Sequence, residues 1–238
     1  MHPERLILPA DAVAAELLRR VSVLVSGTAA PSPPAPLPRA EGAAISPRHR
    51  AVIGLVGGPG SGKSTITARL IDTLNASGIP TAAIPMDGFH MRHAKLEALG
   101  LTAQKGAPQT FEAQAFAEFL THAKTATQAI SGPIYTRDIE DVTDNGYTIA
   151  PETQVLIVEG NYLLLDTPPW HHVRPLLDMA VYLDIPRETV RARLLTRHAE
   201  HGLFSPDHIV RHVEQVDLPN YDLVSDTGRH ADLVISIQ

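Results

Sequence analysis

Between an apolar run at Ala51–Val56 and a helical pattern beginning near Lys63, the chain carries Gly57-Gly-Pro-Gly-Ser-Gly-Lys-Ser64, which fits the spacing G-x-x-x-x-G-K-[ST]. Glycine permits the positive-φ backbone that turns successive N–H groups inward, and the start of a helix adds its positive dipole end. Gly57, Gly58, Pro59, Gly60, Ser61, Gly62 and Thr65 are therefore expected to surround phosphate oxygens. Lys63 is expected to reach the β and γ phosphates, and Ser64 to ligate Mg2+. Taken alone, the loop specifies a nucleoside triphosphate and nothing finer.

The rest of the chain is consistent with a parallel α/β frame for this loop. Four further apolar runs, 81–86, 155–158, 179–183 and 233–237, lack polar alternation, as buried parallel strands do. Helical patterns at 63–76, 111–130 and 188–201 separate them. The expectation is a P-loop NTPase fold: a five-stranded, mainly parallel sheet with helices on both faces and a helical lid. Upstream, Val13, Leu17, Leu18, Val21, Leu24 and Val25 recur at helical spacing, so 1–26 reads as an amphipathic helical segment with Asp11 at its N-cap. Residues 27–47 are rich in proline, alanine and serine and read as a linker. The domain that carries the loop then occupies 48–238.

Composition narrows the partners. A formal net charge of -6 disfavours nucleic acid and anionic membranes, both of which need a basic surface. The chain has no cysteine, so disulfides, thiolate metal sites and cysteine nucleophiles are excluded, and a reducing cytoplasm fits. Pro9, Asp11, Glu16, Arg19 and Arg20 interrupt the apolar N-terminal stretch, which reads as neither signal peptide nor membrane span. Small molecules are the expected ligands, and a homodimer is compatible with the sequence.

Ligands of open parallel sheets bind beyond the carboxyl ends of the strands. Asp87 and Glu159 both end apolar runs and should project toward Lys63. Phosphoryl transfer to an alcohol needs charge neutralisation and a carboxylate to accept the hydroxyl proton. Asp87 is the expected base and Glu159 the expected Mg2+ partner, although the two acids can exchange roles and Asp87 can instead cap the next helix. Arg187, Arg191, Arg193 and Arg197 cluster on or just before one helix. As a lid they would place guanidinium groups on the transferred phosphoryl, Arg193 and Arg197 foremost, with Arg191 on the nucleotide. Guanosine-specific Asn-Lys-x-Asp and the transporter signature Leu-Ser-Gly-Gly are missing from the expected places. Pairs such as His90/His93, His198/His201 and His208/His212 read as solvated helix residues rather than metal ligands.

Together, the loop, Asp87-Gly-Phe-His90, Lys105-Gly-Ala-Pro-Gln-Thr-Phe111, Pro133-Ile-Tyr135 and Glu159-Gly-Asn-Tyr162 resemble the phosphoribulokinase, uridine kinase and bacterial pantothenate kinase group, nearest a subgroup that includes kinases associated with fructose uptake. The resemblance implies ATP, Mg2+, a lid helix and an aspartate base at Asp87. It also implies that Tyr135 holds the acceptor and that Asn220 and its neighbours through Arg229 lie by the adenine. Lys105 and Arg137 suit an anionic group on the acceptor, while Phe89, Tyr162 and Trp170 suit a sugar or ring face, with His90 orienting it. Uridine kinases carry Asp-His-Pro where Lys105-Gly-Ala-Pro108 stands, and pantothenate kinases follow the tyrosine with Ser-His rather than Thr136-Arg137. A sugar or polyol kinase is therefore the expected function, with a nucleoside or pantothenate-type kinase as its alternative. From another class, the alternative is a nucleotide-binding regulator that transfers nothing to a small molecule.

Overall fold

A computed structural model describes residues 2–27, 49–201 and 205–238. The proline-rich stretch read as a linker lies, but for Gly27, outside the described residues. In chain order the described elements are β1 (Glu4–Leu8), α1 (Val13–Gly27), β2 (Ala51–Val56), α2 (Lys63–Ala76), β3 (Thr81–Pro85), α3 (His93–Leu99), α4 (Ala113–Thr125) and the strands β4 (Ile130–Thr136), β5 (Asp141–Ile149), β6 (Val155–Gly160) and β7 (Met179–Asp184). After these come α5 (Arg187–His201), α6 (Pro206–His212), α7 (Leu218–Ser225) and β8 (Leu233–Ile237).

Six parallel strands form the main sheet in the order β1-β8-β7-β2-β6-β3. All six residues of β2 are buried, as expected of a strand covered on both faces. The sequence-based count of five strands omits β1. Its Glu-Arg-Leu-Ile-Leu is an edge strand paired only to β8 and largely exposed, so it lacks the continuous apolar run that marks the other strands. Arg20 of α1 anchors this edge, bonding Glu4 and Glu16 at 2.6 Å each.

Helices cover both faces. On one, Val13, Leu17 and Val21 of α1 and Ile66, Leu70 and Leu74 of α2 bury against Ile53, Leu55, Ile157 and Val181. On the other, Phe116 and Leu120 of α4, with Tyr162 and Trp170, bury against Val52, Leu156 and Val158. A smaller core of Ile185, Val190, Leu194, Ile209, Val213, Leu218 and Tyr221 joins α5, α6 and α7.

Outside the main sheet, β4 and β5 pair antiparallel, with a register shift between Gly132 and Ile134. The helical pattern at 111–130 is realised only as far as Thr125, and this hairpin follows. Its Gly132, Pro133, Asn145 and Gly146 weaken every local strand signal. Gly88, at the end of β3, lies directly beneath it: a Cβ there would sit 2.0 Å from the Pro133 carbonyl oxygen. The missing side chain lets the hairpin backbone approach the Asp87 turn.

Candidate active site

The loop after β2 meets the start of α2 in two glycines with positive φ, Gly60 at 73° and Gly62 at 89°. Gly57 and Gly58 act by size instead, since a Cβ would meet Ser61 Oγ at 2.7 Å and the Tyr221 ring at 2.6 Å. Lys63 folds back over this loop. Its ammonium donates to the carbonyls of Gly57 (2.9 Å) and Gly58 (3.0 Å) and to Asn161 Oδ1 (2.8 Å). Burial pushes its pKa down to about 8, against the opposing pull of Asp87 and Glu159.

Glu159, near the end of β6, accepts from Ser64 Oγ (3.0 Å) and Thr67 Oγ1 (3.1 Å), which lie one turn apart on α2. Burial raises its pKa, with Lys63 and the two hydroxyls working in the other direction. Hydroxyl and carboxylate oxygens are the donor set that Mg2+ takes, so these residues fit the ion implied for this loop.

Asp87 sits in the short helical turn Met86–Phe89. Pro85 precedes that turn and Arg92 precedes α3, and neither helix start carries a side-chain cap from Asp87. Its carboxylate makes no hydrogen bond or ion pair among the described residues, and it lines a cleft of about 1260 Å³ together with Lys63, Ser64 and Glu159. The Asp87 carbonyl accepts from His90 Nδ1 at 2.8 Å, and the His90 ring packs against Phe111 and Tyr135, with centroids 3.9 and 4.8 Å away. Burial lowers the His90 pKa, against the opposing pull of Asp87, and so favours the neutral ring. Lys105 lies 5.1 Å from the Tyr135 ring centroid and pairs with Glu140 at 3.7 Å. Arg137, also in the cleft, makes no side-chain hydrogen bond or ion pair among the described residues.

From the opposite side α5 packs on the loop, with Leu194 beneath Gly60 and Arg193 reaching the Gly60 carbonyl at 3.4 Å. Arg197 lines the cleft with its Nε buried and unpartnered among the described residues; burial lowers its pKa and nearby Arg137 adds to the effect. Asn220 lines the cleft as well.

Several residues expected at the site stand apart from the cleft. Phe89 and Tyr162 are core residues, the first against Phe116 and Phe119 and the second wholly buried with its hydroxyl on the Gly106 carbonyl. Arg191 is ion-paired with Glu214 at 2.6 Å, and Arg229 bonds neighbouring His230. Trp170 is likewise core, its indole N–H on the Pro108 carbonyl. Conversely, sequence reasoning gave no role to Asn161 or Thr67. Both had a signal: Asn161 follows Glu159-Gly160, and Thr67 lies one turn beyond Ser64. His198, His212 and Asp217 also meet at the cleft, although the histidines read as separate solvated pairs.

The profile of the Phosphoribulokinase / Uridine kinase family matches residues 52–237, and the chain belongs to that family. Fold and site together define a P-loop small-molecule kinase, for which the family implies ATP. A Schizosaccharomyces pombe protein, provisionally named a uridine kinase, is 34% identical over 197 residues, covering 79% of this chain and 83% of its own length. A Serratia proteamaculans pantothenate kinase is 29% identical over 180 residues, covering 71% of this chain and 57% of its own. Among solved structures, a Silicibacter sp. TM1040 protein provisionally described as a fructose transport system kinase superposes with a TM-score of 0.77 at 32% identity, over 93% of this chain and 98% of that one. Among the described residues, no helix is long and apolar enough to cross a membrane.

Proposed function

We propose that this protein transfers the γ-phosphoryl group of ATP to a hydroxyl of a sugar or polyol. The observation that carries the reading is the unpaired Asp87 carboxylate, in one cleft with the phosphate loop and beside His90. As the acceptor oxygen bonds to phosphorus and the bond to the bridging oxygen breaks, the hydroxyl proton passes to Asp87 and ADP leaves. Lys63, Arg193 and Arg197 offset the charge of the phosphoryl oxygens. Ser64 and Glu159 would hold Mg2+, which supplies further charge neutralisation when bound. His90, Tyr135 and Lys105 form the acceptor wall, and the likeness to the Silicibacter protein supports a sugar.

A second reading is favoured by Arg137, whose unpaired guanidinium suits an acceptor that carries a carboxylate or phosphate as well as the hydroxyl. ADP release measured across neutral sugars, polyols, sugar phosphates, hydroxy acids, nucleosides and pantothenate separates the two. Acceptor-dependent turnover confined to neutral sugars or polyols supports the first reading, and turnover confined to anionic acceptors supports the second. Release with none of them overturns the kinase reading in favour of a nucleotide-binding regulator.

A further inference from the structure

We propose that His198, His212 and Asp217 form a site for one transition-metal cation of the Zn2+ class, joining α5 to the end of α6 at the rim of the cleft. His198 Nε2 lies 2.9 Å and His212 Nε2 3.9 Å from Asp217 Oδ2, and the three ligating atoms all fall within 4.8 Å of one another. Tetrahedral zinc with bonds of about 2.0–2.2 Å holds its ligand atoms roughly 3.3–3.6 Å apart. The 2.9 and 3.9 Å separations lie on either side of that range, so modest side-chain shifts bring the ligand atoms together. Two imidazoles and one carboxylate also match the three-ligand sets that leave a fourth position open.

The backbone explains how the ligands meet. In an α-helix His212 and Asp217, five residues apart, would point roughly 140° away from each other. Residues Val213–Asp217 instead form a π-turn, whose i→i+5 bonding widens the helix and returns Asp217 to the side of His212. Such turns cost helix regularity and recur at functional sites. Asp217 is only 12% exposed in its side chain, and His198, on a different helix, faces it. A histidine–aspartate hydrogen bond accounts for the first contact, and the His212 ring packs edge-on against His198, which brings its Nε2 to the same carboxylate oxygen.

Donor chemistry separates this site from the magnesium position. Ser64, Thr67 and Glu159 offer oxygen alone, which suits a hard cation, whereas imidazole selects zinc, cobalt, nickel or copper. All three ligands line the same cleft as Lys63 and Asp87, so a cation here would add positive charge to the wall of that cavity.

Chelator-treated full-length protein titrated with Co2+ and, separately, Zn2+ tests the proposal by visible absorption and calorimetry. One equivalent should bind with micromolar or tighter affinity, with tetrahedral Co2+ bands, and millimolar Mg2+ should not displace it. His212→Gln and Asp217→Asn should each weaken binding by at least about 10-fold. Melting in chelator shows which variants remain folded, and half-exposed His212 is the safer of the two. Absence of saturable binding in the wild-type protein overturns the site, as does undiminished binding in a folded His212→Gln protein. Neither result depends on kinase activity.

Discussion

The two walls of the cleft are built differently. On the phosphate wall the central ammonium and carboxylate already have protein partners: Lys63 is held by two carbonyls and Asn161, and Glu159 by Ser64 and Thr67. On the acceptor wall Asp87 and Arg137 make no side-chain hydrogen bonds among the described residues, and their supports are a short turn and a hairpin outside the main sheet. One wall is preorganised by the fold; the other presents charged groups without side-chain partners to the cleft. Changes on the phosphate wall should therefore disturb nucleotide binding, whereas changes on the acceptor wall should leave it intact.

The largest effect is expected from Asp87→Asn, with turnover falling about 10²–10⁴-fold, the usual contribution of a general base. ATP affinity by calorimetry should stay within about twofold. Near-wild-type turnover would remove Asp87 as the base, and a large loss of ATP affinity would break the contrast between the walls. Lys63→Ala should lower turnover by about 10²–10³-fold and weaken ATP binding whether or not an acceptor is present. Gly88→Ala must displace the Pro133 carbonyl or the Asp87 turn, and should cost about 1–3 kcal/mol in denaturant unfolding. The smallest change belongs to Arg137→Ala, which should raise KM for an anionic acceptor about 10-fold with kcat held. An unchanged KM there would leave the neutral sugar reading standing alone.

Much of the phosphate wall was legible in the sequence. Its loop spacing is local, its strands are continuous apolar runs, and Glu159 lies near the end of one of them. Thr67 was readable too, because helical periodicity places it beside Ser64. The acceptor wall was less legible. Asp87 could be placed from its strand end, but the hairpin that bears Tyr135 and Arg137 contains glycine, proline and asparagine and gives no strand pattern. Its position follows from a long-range fit over Gly88 that no window of sequence encodes. Edge strand β1 escaped because only one side of it is paired. The aromatics Phe89 and Tyr162 were read as ligand faces because aromatic rings serve cores and binding sites equally, and only tertiary packing distinguishes the uses. The His198, His212 and Asp217 grouping depends on a π-turn, a departure from the very periodicity used to read helices.

The fit of Pro133 over Gly88 has a consequence for selectivity. With no side chain between them, the hairpin that bears Tyr135 and the turn that bears Asp87 share one contact surface; on the proposed function, the width of the acceptor pocket and the setting of the base would therefore vary together. An acceptor too large for the pocket would push the hairpin outward and loosen the turn with it. Oversized molecules would then be bound yet transferred slowly: size is read in the rate of the reaction more than in occupancy, and discrimination comes from the same backbone approach that assembles the site.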